Sequence, residues 1–315
     1  MPQNSDHLNR RSLSVVVPVF NNSFSLDELN QSLTETLEGL GDTECEIVYV
    51  DDGSLDDSLS KLEMIKNSNR IKTKLVQLAG NFGQVNAILA GVDFAENELV
   101  ATISADLQDP PEILVQLHKS LGLKGRIAIA ERESRDDSTL MSWASRIAYG
   151  IMRLQNRKIP KRGFDCWMLD LKIARYVLNK SRISDLRQMN FFDSGNEGFR
   201  ISYKRRKRIY GNSGYKFSKK FQMFIEIIVM SLGNLASYLV VLGFIIALFS
   251  VFLFFLILHS YLQNKAPFQG FTLIVGLITL IGSFLLIALG AVLLLVLRQG
   301  GGQTDQARFV VEKAQ

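Results

Sequence analysis

The chain has 315 residues, a formal net charge of +5 and 47% apolar residues, enough for one α/β domain with an appendage. Charge is distributed unevenly: residues 227–264 and 266–297 contain no Asp, Glu, Lys or Arg, which argues against a wholly soluble chain. Two cysteines, Cys45 and Cys166, are too few for a disulfide scaffold, lack metal-type spacing and fit a reduced compartment.

The N-terminus, MPQNSDHLNRR, is polar and leads into a strand with no apolar segment before it, so no secretory signal is expected. Residues 13–20 (LSVVVPVF) form a short Val-rich run that reads as a buried strand. Leucines at 26, 29, 33, 37 and 40 predict a helix, with Ser25 and Glu28 at capping-box spacing. A second strand at 46–50 runs into Asp51-Asp52-Gly53-Ser54. Leu55, Leu59, Leu62 and Ile65 then give the next helix one apolar face. Strands near 74–78 and 99–104 bracket a helix of small residues around 86–94. Asp109-Pro110-Pro111-Glu112 opens another helix, and 125–130 reads as a fifth strand. Alternating strands and helices predict an α/β domain whose sheet is mostly parallel, with helices on both faces. Beyond residue 136 the pattern loosens into a helical stretch at 139–155, a turn at 163–165, another helical stretch and a basic segment at 204–208.

Phe217, Phe221, Phe224, Ile225 and Ile228 fall on one helical stripe beside Lys219, Lys220 and Glu226, as in a helix lying in a bilayer interface. Residues 239–258 and 271–297 are each long enough to cross a hydrocarbon core. Two crossings put both chain ends on one side. Arg205, Arg206, Lys207, Arg208, Lys216, Lys219, Lys220 and Arg298 make that side cytoplasmic by the positive-inside rule. Basic charge concentrated there favours anionic lipid, and nucleic acid is not expected as a partner. The expected division is a cytosolic domain at 1–213, an interfacial segment at 214–232, two transmembrane helices within 233–298, and a cytosolic tail at 299–315.

In an open parallel sheet, ligands bind where strand C-termini meet loops. Asp51-Asp52-Gly53-Ser54 follows the second strand, and Asp106 with Asp109 follows the fourth. Singly, each cluster is accounted for equally well by a turn or a helix cap. Together they suit a nucleotide diphosphate-sugar, whose base and ribose offer hydrogen-bonding edges to carboxylates. No G-x-G-x-x-G follows the first strand and no G-x-x-x-x-G-K-[ST] occurs, so a divalent cation bridging to carboxylate is the expected grip on the diphosphate. His7, His118 and His259 are scattered, which argues against zinc.

Val15-Val16-Val17-Pro18-Val19-Phe20-Asn21, Val50-Asp51-Asp52-Gly53-Ser54, Asn81-Phe82-Gly83-Gln84 and Ala105-Asp106-Leu107-Gln108-Asp109-Pro110-Pro111-Glu112 carry a resemblance. Arg132-Glu133-Ser134-Arg135-Asp136 and Arg208-Ile209-Tyr210-Gly211-Asn212-Ser213-Gly214-Tyr215 extend it. In order and spacing these motifs resemble those of the polyprenyl-phosphate glycosyltransferases of inverting GT-A type, a group that includes dolichyl-phosphate mannose synthase and GtrB- and ArnC-like enzymes. The resemblance implies a GT-A, Rossmann-like fold followed by an interfacial helix and two transmembrane helices. It implies that Pro18 and Asp51 line the nucleobase pocket with Asp52 nearby, and that Asp106 binds Mg²⁺ or Mn²⁺. Gln108 and Asp109 would face donor or acceptor, while Arg132, Arg135, Arg206 and Arg208 would neutralise phosphate charge. The basic strip at 205–208 reads equally well as a solvated surface preferring anionic lipid.

Two departures stand out. Ser104 occupies the position of the first Asp in the family's Asp-x-Asp metal motif, leaving Asp106 as the single carboxylate there. Asp165 matches the family's acidic residue near the reacting centre, but Trp167 stands where Arg is common. The implied reaction transfers one sugar, with inversion, from a nucleotide-sugar to polyprenyl phosphate at the cytoplasmic membrane face. The resemblance favours a uridine donor, such as UDP-glucose, and a homo-oligomer. Two other readings are a processive polysaccharide synthase, against which no Q-x-x-R-W occurs, and a silent nucleotide-sugar-binding scaffold.

Overall fold

The computed structural model describes residues 11–122, 125–133, 150, 164–180, 198–206, 237–256, 258–259, 263, 269–300 and 309–314. The chain divides into two compact units, Met1–Phe224 with Ala307–Gln315, and Ile225–Gln306. Apart from residue 150, the expected helix at 139–155 lies outside the described residues, as does the amphipathic stripe at 217–228.

The first unit follows a strand–helix alternation: β1 (Leu13–Val19), α1 (Leu26–Glu38), β2 (Cys45–Asp51), α2 (Ser58–Ser68), β3 (Lys72–Leu78), α3 (Gln84–Phe94), β4 (Leu99–Thr102), α4 (Ile113–Leu121) and β5 (Ile127–Arg132). Then come β6 (Trp167–Asp170), α5 (Leu171–Lys180), β7 (Phe199–Tyr203) and, past the second unit, β8 (Val311–Ala314). Among the described residues these strands form one sheet in the order β7-β5-β6-β4-β1-β2-β3-β8. β1 pairs in parallel with both β2 and β4, β2 with β3, and β5 with β7. β6 runs antiparallel between β4 and β5, and β8 antiparallel along the edge of β3.

β1 is buried along its whole length, which is why it reads as a continuous apolar run. Val15, Val17 and Val19 join Leu29 and Leu33 of α1 and Leu114 and Leu117 of α4 in the main core. Helix α3 packs on the same central strands, and its small residues Ala87 and Ala90 are fully buried.

Three local findings differ from the sequence reading. Ser25 makes no capping bond to α1; its Oγ donates to the carbonyls of Asn22 (3.0 Å) and Ala105 (2.7 Å). The hydroxyl thereby ties the start of α1 to the loop after β4, which a cap could not do. Strand β6 follows the expected turn at 163–165, where no strand is expected; Trp167 is fully buried there, paired with Thr102 and Ile129. Residues 311–314, expected as tail, return to the sheet, with register Gln77↔Lys313 and Ala79 N–H donating to Val310 O at 2.8 Å.

The second unit contains α6 (Ser237–Leu256) and α7 (Gln269–Gly300). Their apolar stretches of 20 and 23 residues are long enough to cross a membrane, at 1.5 Å rise per residue. Phe244, Leu248, Phe252 and Phe255 of α6 and Leu285 of α7 are exposed, as on helices whose outer surface meets lipid. Within the unit the helices meet at Gly243, where an added Cβ would lie 2.6 Å from Ile287 Cγ1 and 3.0 Å from Ser283 O. Only a small residue permits that approach, as in membrane helix pairs. Ser250 and Ser283 are buried and donate to carbonyls of their own helices, Ile246 O and Leu280 O.

Candidate active site

Strand order reverses at β1, whose neighbours are β2 on one side and β4 on the other. Ligands of open α/β sheets bind at the C-terminal edge of such a point. The candidate residues fall there. Pro18 is buried near the end of β1, opposite Val50. Asp51 ends β2, with Asp52 following.

The two adjacent carboxylates have different surroundings. Asp52 accepts the backbone N–H of Phe82 (2.7 Å) on one oxygen and of Gly83 (2.9 Å) on the other, so it holds the loop after β3. Gly53 makes this junction possible: its φ is +68°, and a Cβ would sit 2.6 Å from Gly80 C. Asp51 is 1% exposed; its Oδ2 accepts from Ser54 N at 3.3 Å, and its buried Oδ1 has no hydrogen-bond partner. Burial raises the Asp51 carboxyl above its ordinary pKa, with the Ser54 hydrogen bonds opposing. A buried acceptor without a donor is costly, and a ligand N–H would satisfy it.

After β4 the chain enters an acidic loop. Ser104 Oγ lies 2.9 Å from Asp106 Oδ1 and 2.7 Å from Asp109 Oδ2. Its single proton serves one carboxylate at a time. Leu107 adopts φ +58°, a left-handed conformation unfavourable for a branched side chain, and Gln108 N–H donates to Asp106 Oδ1 at 3.2 Å. Asp109 is fully buried and accepts a short hydrogen bond from the Tyr203 hydroxyl. Burial and the Asp109 charge raise the pKa of that hydroxyl, keeping it a donor. The same two causes push the buried Cys166 thiol well above its ordinary value, so it stays neutral.

Arg132 and Asp165 meet because β5 and β6 are paired, with Ala130 N–H donating to Cys166 O at 3.0 Å. They form a close ion pair. The parallel β5–β7 pairing brings in Arg205, whose guanidinium lies 3.2 Å from Asp165 Oδ2, 3.3 Å from Asp109 Oδ1 and 3.9 Å from Asp106 Oδ2. Arg206 N–H donates to Gln108 O at 2.9 Å, while its side chain points to Glu112 at 3.5 Å.

The structure thus joins Ser104, Asp106, Gln108, Asp109, Arg132 and Asp165 in one cluster at the rim. Arg206 touches this cluster through its backbone. Asp51, Asp52 and Pro18 sit on the neighbouring strands. Arg135 and Arg208 lie outside the described residues. Tyr203 is not among the expected site residues, and Arg205 is expected only as part of the basic strip at 205–208; an alternation of apolar and polar residues at 199–203 is the available signal for the strand that leads to them. Among the described residues no group of three or more His, Cys, Asp or Glu is disposed to hold a metal ion unaided. The oxygen-only donors at Asp106 and Asp109 nonetheless suit Mg²⁺ or Mn²⁺, which is commonly bound by one or two carboxylates with substrate phosphates completing the shell.

A mostly parallel α/β sheet with an acidic rim at its switch point has the GT-A architecture, the framework of a glycosyltransferase. Consistently, residues 14–178 match the glycosyl transferase family 2 profile, and the chain belongs to that family. It is 31% identical over 284 residues to an uncharacterized glycosyltransferase of Synechocystis sp., covering 89% of this chain and 88% of that protein. Among solved structures it is similar to glucosyl-3-phosphoglycerate synthase from Mycobacterium tuberculosis in complex with Mn²⁺ and UDP-glucose (15% identity, 70% of this chain, 78% of that one, TM-score 0.49). It is also similar to S. aureus TarS 1–349 in complex with UDP-GlcNAc (20% identity, 71% and 67%, TM-score 0.46). At that distance neither bears on what this chain binds.

Proposed function

We propose that the protein transfers one sugar from a uridine diphosphate-sugar to polyprenyl phosphate at the cytoplasmic face of a membrane, with inversion. The observation that carries the donor half is the acidic rim itself: an orphaned buried acceptor at Asp51, suited to a base N–H, beside the cluster at Asp106 and Asp109. The acceptor half is supported by the two apolar helices and by β8. Because the chain rejoins the sheet of the first unit after α7, both ends of the helical pair connect to one soluble unit, which suits an even number of crossings. A catalytic unit tethered this way shares the bilayer surface with a lipid-borne acceptor, replacing a bimolecular search with a local one.

In this reading a phosphate oxygen of the acceptor attacks the anomeric carbon. The new C–O bond forms as the bond to the diphosphate breaks, and the electron pair leaves with the nucleoside diphosphate. A phosphate monoester is already ionised near neutral pH, so no strong base is needed, and Asp165, held by Arg132 and Arg205, orients the reactants. When bound at Asp106, Mg²⁺ or Mn²⁺ supplies charge stabilisation for the departing diphosphate. The arginines supply the rest, from a half-buried position where their charge acts strongly. The test is Asp106→Asn in the full-length protein: transfer should be lost while the thermal unfolding profile is kept. Near wild-type turnover with metal present would refute the assignment.

A further inference from the structure

Among the described residues, Arg205 is held differently from two other part-buried arginines of the first unit, Arg11 and Arg175. Arg11 donates to Gly125 O and Asp170 Oδ2, both at 2.8 Å, and Arg175 donates to the carbonyls of Val92, Asp93 and Ala95 at the end of α3. These two are built into the fold. The Arg205 Nε, by contrast, is buried and lies 3.3 Å from Asp109 Oδ1 without an aligned hydrogen bond. Its guanidinium is shared among Asp106, Asp109 and Asp165 at 3.3 to 3.9 Å and 3.2 Å, held by charge more than by direction. The backbone beside it is pinned, since Arg206 N–H donates to Gln108 O and Gln108 Nε2 donates to Arg206 O at 3.4 Å. The side chain can therefore turn about a fixed base.

We infer that Arg205 is the resident counter-ion of the Asp106–Asp109–Asp165 cluster and exchanges with the divalent cation that arrives with the donor diphosphate. Among the described residues, three carboxylates face two arginines here, Arg132 and Arg205. A free cation must compete with the guanidinium for Asp106 and Asp109. A cation bound to diphosphate gives the displaced guanidinium a new anionic partner, and planar guanidinium pairs well with phosphate oxygens. Arg205 thus acts as a positioning residue that couples cation binding to nucleotide binding. The inference rests on the metal-assisted donor site proposed above.

The test is Mn²⁺ binding to the full-length protein in detergent, followed by electron paramagnetic resonance with and without uridine diphosphate. Without nucleotide, Arg205→Gln should bind Mn²⁺ about tenfold tighter than wild type, within the usual range of site–site coupling. Arg205→Lys keeps the charge and guards against a folding defect; its point charge bridges fewer carboxylates, so it should bind Mn²⁺ with intermediate affinity. With uridine diphosphate present, the advantage of both variants should shrink or reverse. Mn²⁺ affinities at or below wild type in both variants without nucleotide would overturn the inference. If wild type also fails to bind Mn²⁺ in the presence of uridine diphosphate, the metal-assisted donor site falls with it; if wild type binds, only the role of Arg205 falls.

Discussion

Removing the Tyr203 hydroxyl tests how the acidic cluster is held. Asp109 is fully buried, and its carboxylate is met by Tyr203 and Arg205 on Oδ1 and by Ser104 on Oδ2. A hydrogen bond to a charged acceptor contributes about 1.5–3 kcal/mol. Tyr203→Phe keeps the buried ring, and Oδ1 keeps Arg205 nearby, so the loss should fall near the lower end, about 1.5 kcal/mol. For a unit of this size that corresponds to a fall in Tm of about 3–6 °C. The assay is thermal unfolding of the full-length protein in detergent, followed by near-UV circular dichroism. A double-mutant cycle with Asp109→Asn should show coupling, because the two changes act on one bond. Strict additivity, or a Tyr203→Phe melt superimposable on wild type, would refute the proposed role of the contact.

Two further outcomes are expected. The Asp51 carboxyl is raised by burial, so the folded state binds that proton more tightly than the unfolded chain, and stability rises as pH falls through the window above the ordinary carboxylate value. Asp51→Asn should therefore be more stable than wild type at pH 7 yet bind uridine diphosphate about tenfold more weakly, the wild-type advantage vanishing on acidification; affinity and melting measured across pH check both. Deleting residues 309–315 removes β8 and the Ala79–Val310 bond from the β3 edge, so Tm should fall at a cost of about 1–2 kcal/mol while sugar transfer persists; melting and transfer assays on the truncated chain decide.

The first half of the catalytic unit is legible in the sequence because local pattern and tertiary environment agree. The Val-rich β1 is buried on both faces, and the leucines of α1 form one stripe facing the core. The second half is not. β6 is four residues long and its strand state comes from being wedged between β4 and β5. β8 reads VEKA, with nothing apolar enough to announce a strand; pairing with a distant edge imposes it. The acidic motifs locate the candidate site because strand ends place them there. Arg205 escapes attention inside a run of basic residues, since its approach to the carboxylates depends on β7, a mostly exposed strand of five residues. Asp51 and Asp52, adjacent in sequence, also differ in surroundings: one keeps a buried oxygen without a hydrogen-bond partner and the other is committed to the loop at 82–83.

The acceptor proposed for this acidic rim is a lipid phosphate. Incubating the purified full-length protein with polyprenyl phosphate, Mn²⁺ and a panel of nucleotide-sugars, and weighing the extracted lipid by mass spectrometry, tests it directly. The expected product is a lipid carrying a single sugar through a phosphodiester, formed with a uridine donor and absent with Asp106→Asn. A polymer, or sugar found only on a water-soluble acceptor, would contradict it.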